Sequence, residues 1–587
     1  MDQTTGKIVM ALIANPDAPT FGAHVGVLAA LPDKTLNSVF AAIGKSCKMT
    51  REKFDSAIKR ARMDLEEVTF QGLPIIKVNN RSLNDATKEV IAALEGANTP
   101  PVVFRRGDSL VTVRRDQSGA AVMARYDPLL LRSRMARTAT FAMYGATGQR
   151  TLCAPPMDFV NDVLKCDEGN FPLLKGITNV PPLHANGSVR TEVGYDPATQ
   201  LYYQTEPGFQ LGLVSNHPVR ADAERAAIFI KDELLNDFPF ASEADLANAF
   251  GALLTVVLRP SMHLKAPLIT LDSPSPGSGK SLLASAIAAA GTGERPAMYA
   301  LPDTEPEVRK GITTMVDTGA RVVIYDNVSR TVRSPALSSL LTADVWEDRL
   351  LGTNTRIKVP QQAVWFATGN NMSFSREMAR RVCRIKIDPK MAHPETRTGF
   401  KRKDDALVSW VLRERGAVVA ALITMTLAWM TAGSPKATVP RIGSFDVWAE
   451  TIGGILDFAG VKGFLENLTD VRTDADEESE DWEAFLTAWA RAYGDAEVSA
   501  RSIADDFMHK EILAGLLPEE LGDPTGVTLG KRLGKALARK AGTRFGQREL
   551  RVERGGIDSH TRIGTWRVAG NLDGLRVGPL DLIKCRV

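Results

Sequence analysis

Residues 268–281 read LITLDSPSPGSGKS. The apolar run Leu268–Leu271 has the composition of a buried strand. It ends in a loop of Ser, Pro and Gly that closes on Gly279-Lys280-Ser281, and the helix-prone stretch Leu282–Ala290 follows at once. A strand, a glycine-containing loop and a helix N-terminus in that order form an anion cradle. Backbone N–H groups without partners in the first helical turn point outward, and the helix dipole adds positive potential. Gly277 and Gly279 permit close approach and positive φ. Pro276, Gly277, Ser278, Gly279, Lys280, Ser281 and Leu282 are therefore the candidate nucleotide-binding residues. Lys280 is suited to the β- and γ-phosphates and the Ser281 hydroxyl to Mg²⁺. Pro274 stands where the usual G-x-x-x-x-G-K-[ST] pattern has its first glycine. Taken alone, the segment also reads as an ordinary loop–helix junction.

Two later strands address the same end of a sheet. Arg321–Asn327, RVVIYDN, is apolar and ends in an acid, Asp326, 46 positions after Lys280. A buried parallel strand delivers its last side chain to the edge where the phosphate loop lies, so Asp326 is a candidate Mg²⁺ holder. The plain alternative is a turn, which Asp-Asn also favours. Gln362–Asn371, QAVWFATGNN, ends in Thr368-Gly369-Asn370, 44 positions further on. An amide at a neighbouring strand tip can orient an attacking water. Arg380 and Arg381 follow, directly before the strand-like Cys383–Asp388.

In this order and spacing, these elements resemble the AAA+ ATPases, most closely the helicase-type members of phages and mobile elements related to superfamily 3 and MCM-like helicases. The phrase ATGNNMSFSREMARRVCRIKID is the most specific part, and GSFDVWAETIGGIL at Gly443–Leu456 is similar to the same group. The likeness covers roughly residues 70–470 and is strongest over 268–388. It implies an ATPase using ATP and Mg²⁺, with Asp326 as the Walker B acid and Asn370 as the sensor. It also implies a ring, expected to be a hexamer, in which Arg380 or Arg381 reaches the neighbour's γ-phosphate. Such arginines are worth roughly 10³–10⁵ in rate.

The pattern departs from the family at Asn327. Walker B strands usually end in two acids, the second activating water, and an amide cannot accept that proton. The strand-like Pro296–Leu301 is followed by Asp303, Glu305 and Glu307. If that strand neighbours the phosphate-loop strand, Glu305, and less readily Glu307, can supply the base. Both acids also suit a helix start.

Composition sets the frame. A chain of 587 residues exceeds a single core and implies several domains. The net charge of +3 gives no global basic field, so any nucleic-acid surface is local. Five scattered cysteines without C-x-x-C pairs or histidines at ligand spacing argue against zinc or a disulfide framework and fit a cytoplasmic location. The N-terminus has no signal-peptide pattern. The longest apolar run, Ala417–Met430, is short of a membrane span and reads as a buried helix.

Local basic surfaces come from two places. Asp348–Pro360, DRLLGTNTRIKVP, reads as a hairpin turning at Gly352–Thr355 and carrying Arg349, Arg356 and Lys358. The family resemblance implies a pore hairpin that grips the nucleic-acid backbone, and basic side chains suit a phosphate track. Between Gly526 and Gly570 eleven basic residues face only Glu549, Glu553 and Asp558. Leu529–Ala541 reads as a helix bearing Lys531, Arg532, Lys535 and Arg539, preceded by helix Ser499–Phe507. Strands Arg548–Glu553 and Thr565–Val568 follow, joined by a Gly-Gly loop. That order is expected of a winged helix whose second helix enters the major groove; the same residues also read as a protein-docking winged helix or a charged helix with no ligand.

The expected architecture is multidomain α/β. Residues 1–95 form a mainly helical N-terminal domain, and 96–238 a β-rich domain with strands at Tyr195–Gln204 and Gly208–Val214. Residues 239–392 form an AAA+ P-loop ATPase core and 393–470 a helical lid. Residues 471–481 form an acidic linker and 482–587 a basic winged-helix domain. The expected function is a ring-forming DNA helicase or translocase in phage or mobile-element replication, acting on single-stranded or forked DNA with a separate primase as a candidate partner and no membrane association. The alternatives are a nucleotide-switched DNA binder of weak hydrolysis, which Asn327 favours, and a P-loop kinase of small molecules.

Overall fold

The computed structural model describes residues 3–14, 18–117, 119–146, 149–349, 356–402, 404–509, 516–518, 521–522, 528–557 and 564–575. The chain is a multidomain α/β protein that divides into two compact units, Met1–Lys175 and Gly176–Val587.

In the first unit, helices Gln3–Ala14, Ala18–Ala29, Asp33–Ile43 and Arg51–Val68 enclose Leu12, Leu28, Val39, Ile43 and Phe54. A four-stranded sheet follows, ordered Thr69–Phe70, Leu73–Lys77, Thr140–Tyr144, Arg150–Cys153. The expected boundary at 95/96 does not divide this unit. Helix Leu83–Gly96 puts Val90 and Leu94 into one core with Leu131, Phe141 and Val160 from beyond that point. The Arg105-Arg106 hairpin forms as expected, with Phe104–Arg106 antiparallel to Ser109–Arg115.

The second unit is built on a parallel sheet. Its elements are α1 (Glu243–Met262), β1 (Leu268–Ser273), α2 (Lys280–Thr292), β2 (Met298–Tyr299), α3 (Glu305–Asp317), β3 (Val322–Val328), α4 (Pro335–Thr342), β4 (Val345–Arg349), β5 (Arg356–Pro360), β6 (Val364–Asn370) and β7 (Val382–Lys386). The five-stranded sheet has the order β2-β3-β6-β1-β7, all parallel, and β4 pairs with β5 in a separate hairpin. Every residue of β1 is buried, and β6 is buried up to its last residue. Strands covered on both faces read as continuous apolar runs, which is why the sequence marked them. The outer edge of β7 is closed by polar side chains of α1. Asp245 Oδ1 accepts from Lys386 N at 2.7 Å, and Asn248 Nδ2 donates to Arg384 O at 2.7 Å. An edge strand satisfied in this way offers no free ladder to another chain.

Three helices, Asp404–Arg413, Arg415–Thr431 and Asp446–Phe458, pack against this core. The apolar run 417–430 lies buried in the second of them, and no described helix is long and apolar enough to cross a membrane. Arg415 is buried at its start. Its guanidinium donates to Glu206 Oε1 (2.9 Å), Ala290 O (2.9 Å) and Asn179 O (2.8 Å), tying the 179–206 segment to the C-terminal end of α2.

Several expectations change here. The segment Gly208–Val214 is not a strand. It is a strap whose Gly212 N donates to Gly416 O at 3.0 Å, in a space that only a glycine at 416 leaves open, because a Cβ there would lie 1.8 Å from Gln210 O. The acidic run is not a linker either. Helix Leu468–Tyr493 passes straight through it. Leu468 and Val471 anchor one end in the main core, Trp482, Phe485, Leu486 and Trp489 anchor the other in the C-terminal core, and no Gly or Pro interrupts the helix between them.

That C-terminal core joins helices Ala500–His509 and Leu529–Lys540 to a three-stranded antiparallel sheet of Val498–Ser499, Gly564–Ala569 and Arg551–Ile557. Gly555-Gly556 lies inside the last of these strands, at a register shift, rather than in the connection. The connection itself, 558–563, is outside the described residues, as is the hairpin tip 350–355.

Candidate functional site

At the carboxyl ends of β1, β3 and β6 the sheet order brings together side chains that lie far apart in sequence. β6 lies between the other two, with Ser273 level with Asn370 across β1 and β6. The Lys280 ammonium donates to Asn370 Oδ1 at 2.7 Å, to Ser278 Oγ at 3.1 Å and to Ser275 O at 3.2 Å. Ser281 Oγ donates to Asp326 Oδ1 at 2.7 Å. Gly277 and Gly279 adopt φ of 72° and 96°, the left-handed region that suits glycine, and Gly279 starts α2. Burial pushes the Lys280 ammonium below its ordinary pKa, with Asp272 and Asp326 opposing the shift through their charge. The residues singled out in the sequence thus form two contacting pairs, Lys280 with Asn370 and Ser281 with Asp326.

The cavity beside this cluster measures about 490 Å³. Gly277, Ser278, Gly279, Lys280, Ser281 and Leu282 form its floor, while Pro276 is outside its lining. The opposite wall, including Phe238, Glu395, Arg397 and Phe400, carried no signal in the sequence. Arg397 donates to Asp237 O at 2.9 Å and stacks on Phe400 with 5.0 Å to the ring centroid. These residues come from segments of no motif, joined to the loop only by the fold.

Two further side chains complete the strand tips. Thr368 donates to Asp326 Oδ1 and accepts from Asn327 N at 3.1 Å. The segment Thr368-Gly369-Asn370 is singled out in the sequence for Asn370, with no task for Thr368. Asp272, buried on β1, accepts from Ser273 N (2.9 Å) and Met372 N (3.0 Å), which fixes the turn after β6; burial raises its carboxyl above the usual range.

Glu305 is turned elsewhere. β2 pairs with β3 at the edge of the sheet, not with β1, so the segment after it does not reach the cavity. The Glu305 carboxylate instead accepts from Ala336 N at 2.7 Å at the start of α4, and Glu307 pairs with Lys310 at 2.6 Å. The condition for a relocated base at Glu305 is therefore not met.

Arg380 and Arg381 lie at the other end of the sheet, ahead of β7, where Leu268 N donates to Arg381 O at 2.8 Å. The six residues of β1 separate them from the glycine-containing loop 277–279 of the same chain by roughly 20 Å. Their exposure differs: the Arg380 side chain is 58% exposed and Arg381 12%. Arg381 donates inward to Glu377 O at 2.7 Å and also contacts the Glu377 carboxylate, whereas Arg380 reaches only that carboxylate, at 2.7 Å. Burial raises the Glu377 pKa, but the two guanidinium hydrogen bonds outweigh it and hold the carboxyl low.

The hairpin of β4 and β5 pairs Glu347 with Lys358 and Arg349 with Arg356. The strand alternation buries Trp346, Ile357 and Val359 and turns Arg349, Arg356 and Lys358 to solvent, with Glu347 between them at 3.5 Å from Arg356. Trp346 and Asp348 fasten the base to α3: Trp346 Nε1 donates to Thr313 Oγ1 at 3.0 Å, and Asp348 accepts from Thr313 (2.7 Å) and Arg309 (3.0 Å). In the C-terminal domain, helix Leu529–Lys540 buries Leu529, Leu533, Ala536 and Leu537 and exposes Lys531, Lys535 and Arg539, while Arg532 is partly buried.

Among the described residues no cluster of three or more His, Cys, Asp or Glu can hold a metal ion. The oxygen pair Ser281 and Asp326 still fits Mg²⁺, a hard cation usually held by one or two protein oxygens together with water and substrate phosphates.

No family model and no curated protein matches the chain. Among solved structures it is similar to the apo NrS-1 C-terminal region, with 11% identity over 76% of this chain and 100% of that chain and a TM-score of 0.31. It is also similar to JCV helicase bound to a phenoxyphenyl acetamide compound, with 13% identity over 44% of this chain and 73% of that chain and a TM-score of 0.18. Neither similarity is strong enough to assign fold or activity.

Proposed function

We propose that this protein is an ATP-hydrolysing, DNA-translocating motor with an AAA+ core, assembling as a homo-oligomeric ring, and that it works as a helicase in replication of a phage or mobile element. The observation that carries this reading is the convergence of Lys280, Asn370, Ser281 and Asp326 on adjoining strand tips beside a 490 Å³ cavity. Three of these groups bind phosphate or metal in such motors, and the fourth, Asn370, accepts a hydrogen bond from the lysine at its strand tip, which suits it to orient an attacking water.

The division of labour follows from the contacts. The loop 277–282 wraps the phosphates with backbone N–H groups at the start of α2, and Lys280 neutralises charge on the group being transferred. Ser281 and Asp326 would hold Mg²⁺, which would supply positive charge to offset that of the phosphates. Asn370, an amide already bonded to Lys280, positions the water. Arg380 is the arginine finger in preference to Arg381, since it is the exposed one. Its distance from its own cavity means that it serves a neighbour's, which makes the ring part of the chemistry. Arg349, Arg356 and Lys358 track the nucleic-acid backbone. Lys531, Lys535 and Arg539 add a second contact through a winged-helix-like domain.

The nucleotide-switch reading retains one specific support. Asn327 occupies the position of the usual second acid and sits at φ 52°, a left-handed conformation that asparagine tolerates well. Unwinding of a forked DNA duplex separates the two. The motor reading expects strand separation with ATP and none with Lys280→Ala. ATP-dependent DNA binding with no unwinding at any protein concentration favours the switch.

A further inference from the structure

We propose that Thr368 is a positioning residue that holds the Asp326 carboxylate in place for Mg²⁺; the proposal rests on the nucleotide-site reading above. Tyr325 is level with Ala367 and Val328 with Gly369, so Asp326 and Asn327 together oppose Thr368 alone. This is a β-bulge, and bulges re-aim side chains at strand ends. The bulge leaves Asn327 N without a ladder partner. Thr368 fills both gaps: its hydroxyl proton goes to Asp326 Oδ1 and its lone pair takes the Asn327 N–H at 3.1 Å. A hydroxyl has one proton to give and two lone pairs, so one side chain can do both at once.

The effect is directional. Asp326 Oδ1 receives two hydroxyls, Ser281 and Thr368, from two different elements. The carboxylate is therefore fixed from α2 and from β6 before any ion arrives. If Ser281 turns to the ion, the Thr368 bond alone keeps the carboxylate aimed at the loop. Asn327 has its own part in this arrangement. Its φ of 52° is what lets the strand bulge, so the residue that departs from the usual acid pair also permits the bulge that Thr368 closes.

The test is a titration of a fluorescent ATP analogue with MgCl₂ on the full chain, comparing wild type, Thr368→Val, Thr368→Ser, Thr368→Ala and Lys280→Ala. Valine keeps the shape and removes both hydrogen bonds; serine keeps both. The Mg²⁺ concentration for half-maximal binding is expected to rise about tenfold in the valine and alanine variants, the scale of one missing hydrogen bond to a charged group, and to return to wild type with serine. Thermal melting separates a folding defect from a local one, and alanine serves if valine is misfolded. An unshifted half-maximum in Thr368→Val or Thr368→Ala, with Lys280→Ala losing nucleotide, overturns the Thr368 assignment alone. So does a shift that serine fails to reverse. Full nucleotide binding by Lys280→Ala overturns the nucleotide reading and this assignment with it.

Discussion

The central sheet and the C-terminal domain both carry dense polar groups, but they use them differently. At the tips of β1, β3 and β6, partners come from far along the chain: Lys280 meets Asn370, and Ser281 and Thr368 meet Asp326. In the C-terminal domain charges settle among neighbours. Glu553 takes both Arg551 and Arg567 within one hairpin, and Arg544 pairs with Glu549. Long-range convergence of polar groups costs loop entropy and desolvation that a surface does not need. Where a fold holds such groups together beside a cavity, chemistry is the best reason for it. Local pairing marks a surface; under the proposed function its exposed cations Lys531, Lys535 and Arg539 act as a field.

Four perturbations press on that contrast. The largest effect is expected at the far end of the sheet. Arg380→Ala should lower ATP turnover by about 10³-fold or more, while Arg381→Ala, whose contacts turn inward, should lower it far less. Mixing Arg380→Ala with Lys280→Ala protein should restore part of the activity, because each supplies what the other lacks. Equal losses and no complementation would remove the ring from the mechanism.

Arg415→Ala tests convergence that serves stability. Removing this buried guanidinium leaves the partly exposed Glu206 carboxylate and two carbonyls without their donor. Chemical denaturation should show a loss of about 2–3 kcal/mol, the scale of hydrogen bonds to a charged group. A loss within the range of a surface substitution would mean that the 179–206 segment is not fastened as described.

Asn370→Ala should reduce kcat by about 10²-fold with nucleotide affinity nearly kept, since its task is in the reaction rather than in binding. A matching loss of affinity would make it a binding residue instead. The smallest effect belongs to the surface. Replacing Lys531, Lys535 and Arg539 by alanine should weaken DNA binding about equally across sequences and lower the salt slope by about one for each phosphate no longer neutralised. A sequence-selective loss would turn the field into a reading head.

The legible part of this molecule was the part with short-range grammar. The strand–loop–helix at 268–292, the acid-terminated β3 and the amide-terminated β6 are each a buried run plus a polar tip, visible without knowing the fold. The pairing of β4 with β5 matches the hairpin expected from Gly352–Thr355, a turn that itself lies outside the described residues. What was hidden depended on strand order. Glu305 could serve as base only with β2 beside β1, and the sheet sets β3 and β6 between them. Thr368 was in view but mute, since its role exists only where β3 bulges against β6. Phe238 and Arg397 reach the cavity from segments without periodic signal. The acidic run misled because charge density suggests a solvated linker, whereas buried tryptophans beyond it kept the helix going.

Steady-state ATP hydrolysis by the full chain, with and without oligo-dT, tests the central claim most directly. The account predicts Mg²⁺-dependent turnover that single-stranded DNA stimulates and that Lys280→Ala abolishes. Tight ATP binding with negligible turnover in both conditions, or turnover that survives Lys280→Ala, would contradict it.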